Sequence, residues 1–254
     1  MRAYWILLKK ELNVYRNSPV TYLALGFLIF TQGLAFSFSV GEFTKGPSPF
    51  GLVQIVFNAN SLLLFWMPLL VIVPLLTMRL FAEEKKLGTI ETLFTAPVNV
   101  SSVVLAKYTA ALILFTLLWL PSGLNFRIFE WVTGQDAIIS GRAYWCAYAL
   151  ILLLGAQMLA VGCFGSALTS NQLLAALLTF TILLAFFAFG FLNEFFRNLP
   201  TVTQAIVEHV SASSHMRRFS QGLFDTRPLF WHLSLAAFFL FLTYTALRQQ
   251  RGGV

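Results

Sequence analysis

The sequence predicts an all-α, polytopic membrane protein with six transmembrane helices, an N-terminal amphipathic interfacial helix and a short helical segment between the second and third spans. Three observations predict it. The 254-residue chain is 58% hydrophobic and 11% charged, while a soluble domain runs near 25% charged, so too few polar side chains exist to coat a globule. Aromatic residues make up 16% of the chain and 27 residues are phenylalanine, a content that disordered chains do not carry. Apolar runs of about 20 residues, the length of a helical membrane span, fall at 19–40, 58–79, 101–122, 144–166, 172–193 and 230–247. A water-soluble enzyme is excluded, and residues 1–254 are expected to form a single transmembrane domain without a separate cytosolic one.

Residues 1–18 come first. The apolar run Ile6–Leu8 is cut short by Lys9, Lys10 and Glu11, too early for the core of a cleavable leader. At helical spacing, Trp5, Leu8, Leu12 and Tyr15 share one face while Arg2, Lys9, Asn13 and Arg16 share the opposite one, the pattern of a helix lying in the membrane interface. In the second span, Pro68 and Pro74 remove backbone hydrogen bonds and bend the helix. They are hinge candidates for a pathway, beside the plainer reading of a kinked membrane helix. The fourth span carries Gly155, Ala156, Ala160, Gly162, Gly165, Ser166 and Ala167, small residues that let another helix approach closely. Cys146 and Cys163 lie on the same span, about 25 Å apart along a helix, too far to bridge.

Six spans put both termini on one side, and basic residues choose it. With the termini inside, ten Lys and Arg fall inside and seven outside, and of the six lysines only Lys45 is outside. The excess predicts a multi-pass protein of the cell (inner) membrane with both termini cytoplasmic. The net charge of +7 then divides into +6 inside and +1 outside, an orientation signal, so no nucleic-acid partner is expected. The segment 80–100 becomes cytoplasmic and the segment 194–229 external, with short helices over 201–223 whose Val202, Ile206 and Val210 share a face.

The middle of every span lacks Asp, Glu, His, Lys and Arg, which argues against proton-coupled transport and against charged-residue catalysis in the membrane. Lys107, about two turns into the third span, is within snorkelling reach of the interface. Gly41–Gly46 has the glycine spacing of a phosphate loop, but Pro47 stands where lysine is required. Glu208, His209 and His215 match no standard metal-ligand spacing. Catalytic, cofactor and metal residues are therefore expected to be absent, and any work must be driven by another chain.

The cytoplasmic segment runs Arg79-Leu-Phe-Ala-Glu83-Glu84-Lys-Lys-Leu-Gly88-Thr89-Ile-Glu91-Thr-Leu93-Phe-Thr-Ala-Pro97. Gly88 breaks the incoming helix, Thr89 can cap a new one, Glu91 suits the dipole of its first turn, and Pro97 stops it. The expected result is a helix of about two turns with Ile90, Leu93 and Phe94 along its apolar edge.

Glu83, Glu84, Gly88, Thr89, Glu91, Leu93 and Pro97 resemble the coupling segment of the ABC-2 family of ATP-binding-cassette permeases. There a cytoplasmic stretch between the second and third spans reads Glu-Glu, a gap, Gly-Thr, an acidic residue, Leu and Pro. A second stretch, Ser211 to Arg227, is similar to the run before the last span in the gliding-motility (GldF-like) branch, through His215, Phe219, Gly222, Asp225 and Arg227. Ala212 stands where that branch has proline.

The resemblance implies a permease subunit that moves a substrate, with export as the expected direction. A separate ABC ATPase subunit would hold ATP and Mg and dock on the coupling helix, so this chain would itself bind no cofactor. A second permease chain, identical or homologous, would complete a dimer with the second and fifth spans near its axis. The alternative is ATP-driven transmission of force or signal without cargo. His215, Asp225 and Arg227 are expected to hold the outer loop closed by polar pairing.

Overall fold

The structure, a computed structural model, describes residues 2–45, 51–57, 62–91, 98–134, 141–190, 192 and 200–252. Among them it is helical throughout, without strands, and six helices are long and apolar enough to cross a membrane. In chain order the helices are α1 (Arg2–Asn17), α2 (Pro19–Phe43), α3 (Leu52–Val56), α4 (Met67–Thr77), α5 (Ala82–Lys86), α6 (Val100–Thr133), α7 (Gly141–Leu168), α8 (Gln172–Gly190), α9 (Thr201–Val210), α10 (Ala212–Ser220) and α11 (Thr226–Gly252).

α7 is the hub, packed against α4, α6, α8, α10 and α11. Its small residues explain why. A Cβ on Gly155 would lie 2.1 Å from the Phe115 ring on α6, one on Gly162 2.2 Å from Thr77 Oγ1 on α4, and one on Gly165 2.5 Å from Thr179 Oγ1 on α8. Each glycine thus admits a different neighbouring helix, which in a bilayer replaces the missing hydrophobic drive with close van der Waals contact.

One span boundary differs from the sequence expectation. The third span does not stop at 122 but continues through Pro121 to Thr133, where Gly134 at φ 64 caps it with its N–H on Glu130 O, 2.9 Å away. Proline removes one backbone bond, and the turns beyond it close normally. In the second span, whose expected start at 58 lies outside the described residues, a π-helical turn at Leu62–Trp66 leads into α4, and the helix breaks at Met78–Phe81 before α5. Pro68 and Pro74 are both buried in α4, and 72% of this span is enclosed by its own chain, against 22% of α8.

α1 lies along α6. Its buried face is Tyr4, Leu7, Leu8, Glu11, Leu12 and Tyr15. Trp5, expected on that face, is 59% exposed, beside exposed Ile6 and Val14. The reason is Glu11: it turns inward to a cation, which rotates the buried arc away from Trp5 and leaves that indole for the lipid interface. Arg251 donates to Val98 O at 3.1 Å, so the C-terminal end of α11 stands at the same end of the bundle as α1. This is called the terminal end below, and the opposite one the far end.

Candidate functional site: a charged junction at the terminal end

The break between α4 and α5 is held by one hydroxyl. Ser166 Oγ on α7 accepts the N–H groups of Phe81 at 3.0 Å and Ala82 at 3.1 Å and donates to Met78 O at 3.2 Å. Those groups have lost their helical partners at the turn, and a buried orphan costs about 1–3 kcal/mol, so one serine makes the break stable. Lys85 Nζ donates to Ala167 O at the end of α7, where a cation also suits the helix dipole.

Across this break lies a buried ion cluster. Lys107 of α6 does not snorkel; its side chain is 4% exposed and its ammonium lies 2.8 Å from Glu11 and 3.0 Å from Glu84. The reason is proximity: two carboxylates reach it inside the protein, so it need not reach the interface. The Phe81 ring sits 5.6 Å from the same nitrogen, and Lys10 approaches Glu84 from the exposed side at 3.4 Å. The cluster joins α1, the third span and the α5 segment. Tyr4 OH and Thr109 Oγ1 share a 2.9 Å bond, and Tyr15 OH donates to Leu76 O at 2.9 Å, fixing α1 to α6 and α4.

The segment residues divide by exposure. Glu83 and Glu84 are half-buried, Ile90 is buried in the core, and Gly88, Thr89 and Glu91 are exposed. Gly88 has φ 70 and its N–H reaches Lys85 O at 3.2 Å, the left-handed turn that closes α5. Thr89 opens the next helical turn, and its hydroxyl donates to Glu84 O at 3.3 Å. Leu93, Phe94 and Pro97 lie outside the described residues.

A family model described as ABC-2 family transporter protein matches residues 7–192, which contain the ion cluster and the break between α4 and α5. The chain belongs to the ABC-2 transporter family. Comparison with curated proteins returns no match. As an ABC-2 family member the chain is a multi-pass permease component of an ABC transporter; such permeases lack an ATPase domain of their own, and the family implies an ABC ATPase partner.

The far end of this ABC-2 permease is capped by α9 and α10, beyond the matched residues. Ser211 Oγ accepts from Ser214 N at 3.3 Å to start α10. Gly222, at φ 77, ends it with its N–H on Phe219 O and that of Leu223 on Arg218 O, a Schellman turn. Met216 and Phe219 are fully buried in the core, so this cap is packed against the bundle. Of the face expected from Val202, Ile206 and Val210, the first two are exposed and Val210 is half-buried, while Val207 is the buried residue of α9.

His215, expected to pair with Asp225 and Arg227, faces inward. Its Nδ1 lies 3.2 Å from His232 Nε2, and His232 Nδ1 meets Gln157 Oε1. Burial, reinforced by the Arg218 and His209 charges, pushes the His215 imidazole down to about 4. Asp225 caps α11 by accepting from Arg227 N at 3.0 Å and from Arg218 Nη1 at 3.3 Å. The Arg227 backbone N–H is the first cause of its lowered carboxyl pKa, and the Arg227 side chain is exposed. Sequence reasoning missed His232 as His215's partner, Gln157 as His232's, and Glu11 and Glu84 as Lys107's; each pair is distant in sequence and no local spacing links its members. Among the described residues no three His, Cys, Asp or Glu group as a metal site.

Proposed function

We propose that residues 83–97 are the coupling helix on which the ABC ATPase partner docks, with both termini cytoplasmic and the protein in the cell (inner) membrane. The observation that carries the reading is the ion cluster: Glu84, inside this segment, shares Lys107 with Glu11 at 3.0 and 2.8 Å. A force applied to the segment is therefore applied to α1 and to the third span at once, while Ser166 and Lys85 pass it to α7. ATP and Mg would be held by the ATPase, and a second permease chain, the same or homologous, would complete the transporter. Pro68 and Pro74 are the places where the second span would flex, and export of a substrate is the expected direction. The gliding-motility branch remains the suggested relationship, from His215, Phe219, Gly222, Asp225 and Arg227.

The test is deletion of Gly88–Pro97, or Glu91→Ala, in the chain co-expressed with its ATPase. Loss of co-purification or of permease-stimulated ATP hydrolysis is expected. Normal stimulation after the deletion would overturn the reading. Substrate-dependent efflux from vesicles separates transport from transmission of force without cargo.

A further inference from the structure

At the terminal end, beside the ion cluster, a cavity of about 290 Å³ opens between α1, the start of α2, the end of the second span and α5. This is near the lower limit of ligand pockets, about 300–1,000 Å³. Its apolar wall is Val14, Val20, Leu75 and Leu76, and its polar wall carries Arg79 and Glu83 as well as the cluster. Each cluster charge has a counter-ion: Lys107 and Lys10 serve Glu84 through Oε1, leaving its Oε2 buried without a hydrogen-bond partner, and Lys107 also serves Glu11.

Arg79 and Glu83 are different. Among the described residues neither makes an ion pair, with the other or with any third group. Arg79 Nη1 makes a long 3.4 Å bond to Ser18 Oγ, and its Nε is buried without a partner. A half-buried guanidinium with no anion is costly, and its planar fork suits phosphate. A half-buried carboxylate beside it lacks a cation in the same way. One unused positive and one unused negative group, held apart in one cavity, are the complement of a zwitterion. One wall of the cavity is α1, an amphipathic helix of the kind that lies in the membrane interface, where headgroups sit and acyl chains begin.

We propose that this cavity binds a phospholipid with a phosphoethanolamine headgroup. The phosphate pairs with Arg79, the ammonium with Glu83, and the start of an acyl chain lies along Val14, Val20, Leu75 and Leu76. The lipid would sit between α1 and the α5 segment as a wedge. The site stands on charge and shape alone and does not depend on ATPase docking at residues 83–97.

The full chain is purified in mild detergent with equimolar phosphatidylethanolamine, phosphatidylcholine and phosphatidylglycerol of matched acyl chains, and retained lipid is counted by native mass spectrometry. One phosphatidylethanolamine per chain is expected, favoured about tenfold over the others, as one charge-assisted hydrogen bond provides. Arg79→Gln lowers retention of all three headgroups about tenfold. Glu83→Gln, the milder change, keeps phospholipid but loses the preference for ethanolamine, and so reads the site even if the Arg79 variant fails to fold. Equal retention of the three lipids by the unaltered chain, or an unchanged pattern in the folded variants, overturns the proposal. Displacement of the lipid by soluble glycerophosphoethanolamine at equal concentration also overturns it, since the occupant is then a free zwitterion.

Discussion

Lys107→Met removes the cation that two carboxylates share while keeping the length and apolar stem of the side chain. Breaking a buried ion pair from one side costs about 3–5 kcal/mol, because the remaining charge is left buried. Glu11 is 8% exposed and has no other cation among the described residues, so it bears most of that cost; Glu84 is 15% exposed and keeps Lys10 at 3.4 Å. The lower end of the range, about 3 kcal/mol, is therefore expected. Adding Glu11→Gln to Lys107→Met removes the stranded charge and should recover part of the loss, giving a coupling of about 1–3 kcal/mol in a double-mutant cycle. Unfolding in mixed detergent and dodecyl sulfate micelles, followed by circular dichroism, measures all four proteins of the cycle. A Lys107→Met protein within about 0.5 kcal/mol of the unaltered one, or strict additivity of the pair, would refute the buried cluster as the link between α1 and α5.

Gly162→Ala should destabilise by about 1–3 kcal/mol, because its new Cβ would meet Thr77 Oγ1 at 2.2 Å, whereas Gly33→Ala, with nothing within 4 Å, should be neutral or stabilising by about 0.5–1 kcal/mol; the same micelle assay compares them. Ser166→Ala should orphan the Phe81 and Ala82 N–H groups at about 1–3 kcal/mol each, seen as faster hydrogen exchange at those two amides. His215 is held down to about 4 from 6.5 by burial first, so folding favours its neutral form. Its contribution is complete above pH 6.5, is lost as pH falls from there through about 4, and reaches roughly 3 kcal/mol. Thermal unfolding between pH 7.5 and 4 should show that decline, and His215→Gln should flatten it.

The six spans were legible because a bilayer demands long apolar runs, and their number and order need only composition and length. The α7 glycine stripe was equally legible as a packing face, and contact with Phe115, Thr77 and Thr179 follows from it. Ends were less legible: the apolar run ends at 122, but the helix continues through Pro121 to Thr133, since one missing hydrogen bond does not end a helix whose neighbours hold it. The face of α1 was nearly right and failed at Trp5, since hydrophobic periodicity gives no weight to a buried Glu11. Lys107 was misread for a related reason. A lone lysine in a span suggests snorkelling until carboxylates 96 and 23 residues away in sequence are seen to converge on it. Such convergence is a property of the fold, as is the His215–His232–Gln157 chain, and no local spacing encodes it.

On the proposed function, Glu91 and its neighbours face an ATPase. In a chain carrying Cys146→Ser and Cys163→Ala, Glu91→Cys and Ile206→Cys place single thiols on exposed positions at opposite ends of the bundle. Crosslinking to the co-expressed ATPase measures which end it touches. A crosslink from position 91 and none from position 206 is the expected result; an assembled complex that crosslinks from 206 and not from 91 would contradict it.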